Sequence, residues 1–234
     1  MESPTDDEIK SERKQLMDWW TRAFHDRPPV EEKLPVEEKL QAFLDDPHRP
    51  QRKQGDKLRH FHDALGWKAK DSLKSGGLCA GTIFRTRDFI GMKQAERCGS
   101  RKGQTVHIEH TVPIGDLRTQ WLRVRERPEV NLDFAWAWFL AHSVTTAMSH
   151  AEKPKSSTTS CFSSTSDSYC RPFRRYYDAP ATGMQVWSVF DRRPIDLRAF
   201  TFEDHWRTIL RVLREAEAPS DFVTRPAEHF SPLR

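Results

Sequence analysis

The apolar residues of this chain follow a helical period near both of its ends. Within SERKQLMDWWTRAF the large apolar positions are Leu16, Trp19, Trp20 and Phe24. This spacing predicts an amphipathic helix that begins near Ser11. The segment DHWRTILRVLREA has the same character and predicts a C-terminal helix that starts near Thr201. Just before that helix, MQVWSVFDRRPIDL is typical of a β-hairpin.

Two short strands are predicted in the middle of the chain. The first runs from Thr105 to His110, and the β-branched run from Val144 to Thr146 indicates the second. Between them, TQWLRVRERPEVNLDFAWAWFLA predicts one helix before Pro128 and another after it. Ser149 and Glu152 then form the S-x-x-E pattern of a capping box, which predicts the start of a helix. The order is therefore strand, long insertion, strand, helix.

Further elements are predicted in the first hundred residues. DKLRHFHDALGWKAKDSL predicts a helix, Leu78 to Phe84 a short strand, and Phe89 to Cys98 another helix. A direct repeat, PVEEKL at 29 to 34 and again at 35 to 40, leads into a helix through Leu44. Two copies are too few for a solenoid, so the repeat is either a lengthened linker or an acidic strip that binds a partner.

Composition places the chain among globular proteins with polar ends. Hydrophobic residues make up 36% and charged residues 31% of the 234 positions, and eight Trp and fourteen Phe compensate for few aliphatic side chains. The longest apolar run, LDFAWAWFLA, is about half the length of a membrane span, and the acidic start excludes a signal peptide. We expect a cytoplasmic protein with free thiols and no membrane partner.

Acidic and basic residues are concentrated in different parts of the chain. Acidic residues crowd the first 46 positions, whereas Arg and Lys crowd 85 to 127 and 171 to 175, although the net charge is only +4. Within the first basic region, QTVHIEHTVPIGDL brings together His107, Glu109 and His110. A carboxylate beside an imidazole can bind a cation and accept a proton, which are the needs of phosphodiester hydrolysis. HIEH lacks the H-E-x-x-H spacing of zincin proteases.

The segment from Ile108 to Pro113 resembles the first half of the HNH, or ββα-metal, nuclease motif. In that family an Asp/Glu-His pair ends the first strand and a proline opens the following loop. The resemblance implies that His110 is the general base and that Glu109 binds a metal ion. It also implies a second ligand from the helix after the second strand.

His150 and Glu152 both occupy the region expected for that second ligand. Two residues apart on a helix they face different ways, so only one of them should reach the ion bound by Glu109. Glu152 would suit Mg²⁺ or Mn²⁺, which we favour, whereas His150 would suit Zn²⁺ or Ni²⁺. Glu152 has an alternative role, which is to cap the helix. His107 either supports the site from the same strand face or is a surface residue.

Arginines interleaved with aromatic residues form a second cluster in RPFRRYYDA. Arg174 and Arg175 are candidates for binding a phosphate backbone, with the neighbouring rings stacking a base. The alternative is a solvated strand edge with a buried aromatic face. The family's middle Asn has a candidate in Asn131, and His142 lies in the same long insertion.

The sequence thus predicts an α+β protein, mainly helical, with a small ββα-metal core and a C-terminal hairpin and helix. The predicted regions are an N-terminal helical region (1–100), the HNH-like core (101–155), a Ser/Thr-rich loop (156–170) and a C-terminal α+β region packed on the core (171–234). The expected function is metal-dependent endonuclease cleavage of nucleic acid, with DNA favoured over RNA. The expected role is in defence or restriction, and a protein partner would supply sequence specificity if the chain itself has none. The alternatives are an inactive nucleic-acid-binding module and a partner-binding structural protein.

Overall fold

The described residues form an α+β fold with a mixed five-stranded sheet. A computed structural model describes residues 3–25, 79–97, 106–125, 131–152, 171–177, 183–220 and 223–224. Its strands are β1 (Phe84–Thr86), β2 (Val106–His110), β3 (Thr145–Ser149), β4 (Val186–Ser188) and β5 (Arg193–Pro194). They lie in the order β2-β3-β1-β4-β5, so the two strands of the predicted core form one side of a larger sheet.

Helices and short turns complete the described chain. The helices are α1 (Asp6–His25), α2 (Arg87–Ile90), α3 (Gln94–Arg97), α4 (Ile114–Val124), α5 (Leu132–His142), α6 (Arg174–Tyr177) and α7 (Phe202–Glu215). A 3₁₀ turn, His150–Glu152, directly follows β3. No helix in this part of the chain has the length and apolar character that crossing a membrane requires.

The pairing of β2 with β3 sets the position of the candidate site. The two strands are antiparallel, with Val106 opposite Ser149 and His110 opposite Thr145. β3 is parallel to β1, and β1 is antiparallel to β4. β3 therefore lies inside the sheet with neighbours on both edges, which explains why its first four residues are buried.

The helix α5 is the apolar centre of the fold. Residues 135–142 are all buried, and α5 packs against α7. The Asn131 side chain accepts a hydrogen bond from the Phe134 amide and so caps the start of α5. Thr201 and Asp204 form a capping box at the start of α7. Asn131 is thus a helix cap in this structure.

A buried charge cluster joins the first helix to the sheet. Glu12 of α1 pairs with Arg85 of β1 and with Arg97 of α3, and all three side chains are almost completely buried. The cluster is reinforced by a hydrogen bond from Trp20 Nε1 to the Gly81 carbonyl. Buried charges are tolerated only when they are paired and hydrogen-bonded, so this cluster fixes where α1 docks.

Several sequence predictions are confirmed by these bounds. The helix near Thr201, the two helices around Pro128, both central strands and the C-terminal hairpin are present. The N-terminal helix is also present, but it begins at Asp6 rather than near Ser11. The strand predicted at 78–84 is wrong in its bounds, because the chain pairs at 84–86, and 89–98 holds parts of two short helices. RPFRRYYDA contains a helical turn rather than a strand edge, and Phe173 and Tyr176 are buried whereas Tyr177 is only partly so. The helices predicted from PVEEKL and from DKLRHFHDALGWKAKDSL lie outside the described residues.

Candidate active site at Glu109

The candidate site is built around the Glu109 carboxylate on β2. Side chains alternate between the two faces of a strand, so His107 and Glu109 share one face and His110 lies on the other. His107 Nε2 donates a hydrogen bond to Glu109 Oε2 at 2.9 Å. The His107 side chain keeps 26% of its surface exposed, whereas Glu109 keeps 12%. The pair therefore joins a nearly buried carboxylate to a solvent-accessible imidazole.

Arg175 of α6 holds the other oxygen of the same carboxylate. Its guanidinium donates to Glu109 Oε1 at 2.9 Å and to the His110 carbonyl at 3.3 Å. The Arg175 side chain is 13% exposed, so this is a largely buried ion pair. The arginine predicted to contact a phosphate backbone is thus directed at Glu109.

Packing of α6 fixes the position of Arg175. Phe173 and Tyr176, on either side of the arginine pair, are buried in the core, and the ring of Phe173 meets Phe84 edge-on. The Tyr176 hydroxyl lies 3.3 Å from Thr111 Oγ1, which in turn lies 2.8 Å from Thr146 Oγ1. Thr146 is opposite Glu109 in the strand register, so hydroxyl groups line the strand beside the carboxylate.

The Glu109 carboxylate remains charged in this setting. Burial alone would raise the pKa of Glu109, but the hydrogen bond from His107 and the charge of Arg175 outweigh it, with smaller help from the charges of His107 and His110. The pKa of Glu109 therefore lies below its ordinary value. An ionised carboxylate is the form that orients an imidazole or binds a cation.

His150 lies beside this pair, on the turn after β3. Its ring centroid is 6.3 Å from that of His107, with the rings nearly perpendicular, and the residue is exposed. The antiparallel pairing of β2 and β3 explains the proximity, because the end of β3 lies next to the start of β2. The site thus contains two accessible imidazoles next to one charged carboxylate.

Glu152 makes a different set of contacts. Its Oε2 accepts hydrogen bonds from Thr86 Oγ1 at 2.5 Å and from the amide and hydroxyl of Ser149 at 3.0 Å each. Burial raises the pKa of Glu152 although the hydroxyl and amide donors oppose this. These are the contacts of the capping alternative, on a 3₁₀ turn. Glu152 and Glu109 share no hydrogen-bond partner among the described contacts.

In the described residues Glu109 and Glu152 thus have separate hydrogen-bond partners, whereas His150, the alternative second ligand, lies beside His107. Each Glu109 oxygen accepts one hydrogen bond, Oε2 from His107 and Oε1 from Arg175, so a cation bound here would share the carboxylate with these groups. Within the described ranges, no group of three His, Cys, Asp or Glu side chains is placed to hold a metal ion. The divalent ion that the resemblance implies stays a prediction, and no chemical step is assigned to it.

No protein-family model, curated protein or solved structure matches this chain. The case for a function therefore comes from the site geometry and the motif. Two features of that geometry were not predicted from the sequence: the contact of Arg175 with Glu109 and the contact of Thr86 with Glu152. The sequence did indicate the His107–Glu109 contact, because residues two apart on a strand share a face.

Proposed function

We propose that this protein cleaves phosphodiester bonds of nucleic acid, with His107 and Glu109 as its central pair. The observation that carries the proposal is the 2.9 Å hydrogen bond between an accessible imidazole and a nearly buried carboxylate. An acid that orients a histidine is the recurring arrangement of general base catalysis. The motif from Ile108 to Pro113, which resembles that of HNH nucleases, points to the same chemistry.

The hydrogen bond also assigns the tautomer of the imidazole. With the Nε2 proton directed at Glu109, Nδ1 of neutral His107 is the lone-pair nitrogen that can accept a proton. Arg175 keeps the carboxylate charged and fixed, which in turn holds the ring in place. Glu109 and Arg175 are positioning residues in this proposal, and His107 is the catalytic base.

The proposal keeps the ββα-metal core but changes the residue of its second segment. The β2, insertion, β3 and turn order supports it, and His150 replaces Glu152 as the residue of the second segment that lies near the site. The prediction of Mg²⁺ or Mn²⁺, the preference for DNA and a role in defence or restriction stay predictions. His110 is the base that the resemblance implies, and it must be compared with His107.

The test is a cleavage assay with variants of both histidines. Supercoiled plasmid, single-stranded DNA and RNA would be incubated with wild type, His107→Asn, His110→Ala and the surface control Glu203→Gln, in Mg²⁺, Mn²⁺, Zn²⁺ or EDTA. We expect the His107 variant to lose about 10²–10⁴-fold in rate and the control to keep it. Failure of the wild-type protein to cut any substrate would overturn the proposal.

An inactive nucleic-acid-binding module is the second candidate function. It is favoured by the hydrogen bonds that Glu109 accepts from His107 and Arg175, because a purely structural ion pair has the same contacts. Such a module would bind nucleic acid with strong salt dependence but leave every substrate intact in the assay above.

A further inference from the structure

We infer that the site acts on RNA, by transfer of the phosphoryl group to the 2′-hydroxyl of the substrate itself. This inference rests on the proposed function and specifies its substrate class. It depends on two observations: a protein cation already lies against Glu109, and two imidazoles lie side by side at the same site.

A protein side chain supplies positive charge at the site. A hydrolytic nuclease needs an activated water, which is most often supplied through a divalent ion held by carboxylates. Here the Glu109 oxygens accept from His107 and Arg175 at 2.9 Å each, and the Glu152 oxygen accepts from Thr86 and Ser149. The packing of α6 holds the Arg175 guanidinium against Glu109, so a fixed positive charge already lies at the site. The charges at this site are thus satisfied by protein groups.

Two imidazole rings at the site can transfer protons. The ring centroids of His107 and His150 are 6.3 Å apart, and both residues are accessible. Each imidazole needs a contact of about 2.6–3.2 Å with the oxygen it serves. Two rings at this separation can contact the two oxygens on either side of a single phosphorus atom. The site can therefore supply one base and one acid to the same phosphodiester.

RNA is the substrate for which a base and an acid are sufficient. Its 2′-hydroxyl is a nucleophile fixed next to the scissile phosphorus, a group that DNA lacks. His107 takes the 2′-hydroxyl proton, the 2′-oxygen forms a bond to phosphorus, and the bond from phosphorus to the 5′-oxygen breaks. His150 gives its proton to that 5′-oxygen. The products are a 2′,3′-cyclic phosphate and a 5′-hydroxyl, with no redox change and no other reactant.

The two histidines differ in environment in a way that assigns their roles. Glu109 accepts from Nε2 of His107 and so fixes this ring with Nδ1 as its lone-pair nitrogen, which is the form that a base needs. His150 lies on the exposed turn after β3, where its ring can donate to an oxygen on the solvent side of the site. His107 is therefore the base and His150 the acid.

A single-site substitution in the substrate tests the substrate class. The full-length protein would be given an RNA oligonucleotide, the same RNA with one 2′-deoxy nucleotide at the cleaved position, and the all-DNA strand, each with EDTA and with Mg²⁺. We expect cleavage of RNA in EDTA, a cyclic phosphate end, and loss of cleavage at the deoxy position. Cleavage of DNA that leaves a 5′-phosphate would overturn this inference but keep the proposed function. No cleavage at all would overturn both.

A change of leaving group tests the role of His150. His150→Asn should cleave ordinary RNA about 10²–10⁴-fold more slowly and should recover most of that rate on RNA with sulfur in place of the scissile 5′-oxygen, because a thiolate leaves without a proton. His107→Asn should not recover on that substrate. Circular dichroism checks that both variants fold, and Glu203→Gln serves as the control. Equal defects of His150→Asn on the two substrates would contradict its role as the acid.

Discussion

Arg175 and Glu109, 66 positions apart in the sequence, form an ion pair of 2.9 Å in which both side chains are more than four-fifths buried. The same guanidinium reaches the His110 carbonyl, so α6 is tied to the end of β2 by side chain and main chain together. The carboxylate that the sequence predicts as a metal ligand thus accepts hydrogen bonds from a guanidinium and from the His107 imidazole. The charge of Glu109 and the orientation of the His107 ring both depend on these contacts.

Removal of Arg175 should destabilise the fold. Arg175→Ala leaves the nearly buried Glu109 charge with only His107 as a partner, and breaking a buried ion pair in this way costs about 3 kcal/mol. The matched control is Arg207→Ala, which removes an exposed pair with Glu203 one helical turn away. That change should cost less than about 1 kcal/mol. Urea denaturation measures both, and equal losses in the two variants would show that the Arg175 pair has no special weight.

Two substitutions of Glu152 separate capping from metal binding. Glutamine can accept the same hydrogen bonds from Thr86 and Ser149, so Glu152→Gln should keep both the fold and the cleavage rate. Glu152→Ala loses the cap and should lower stability by about 1 kcal/mol. Denaturation and the cleavage assay are run on both variants. A folded Glu152→Gln protein without activity would support the ligand role that the HNH resemblance implies.

Two buried histidines should make stability depend on pH. Burial lowers the pKa of both His142 and His205 to about 4 from an ordinary value of 6.5. The unfolded chain therefore takes up protons below 6.5 that the folded protein refuses until about pH 4. Stability contributed by these groups is constant above 6.5 and falls between 6.5 and 4, by on the order of 3 kcal/mol for each group.

Denaturation at several pH values checks this slope. His205→Asn keeps a donor for the Ala141 carbonyl but no longer titrates, so its stability should fall less steeply between pH 6.5 and 4 than that of the wild type. Glu152 acts in the opposite sense, because its raised pKa makes the folded protein bind that proton first. A wild-type stability that does not change over this range would contradict the buried, neutral state of the two histidines.

The elements with strong local signals could be predicted from the sequence. The apolar period of α7 and the break between two helices at Pro128 are each visible within a short stretch of sequence, and the structure confirms the helices that they predict. The Ser149–Glu152 capping pattern is also confirmed, in a 3₁₀ turn. Such signals depend on neighbours in the chain, which a sequence displays directly.

The contacts that define the site depend on distant parts of the chain. Arg85 lies in a strand and is fully buried, because its guanidinium pairs with Glu12 and donates to carbonyls around residue 80. The residues near Arg85 in the sequence do not indicate that Glu12 is its partner. The contact of Arg175 with Glu109 has the same character. A charged residue read locally is assigned to solvent or to a phosphate, whereas its true partner comes from the packing of another element.

The kinetic coupling between His107 and Glu109 tests the central claim most directly. Cleavage of one RNA oligonucleotide would be measured as kcat/KM for His107→Asn, Glu109→Gln and the double variant, each first shown to be folded. Since groups that act as a unit give non-additive losses, we predict that the double variant is no slower than His107→Asn alone. Losses that multiply, or a His107→Asn protein as fast as the wild type, would contradict the account.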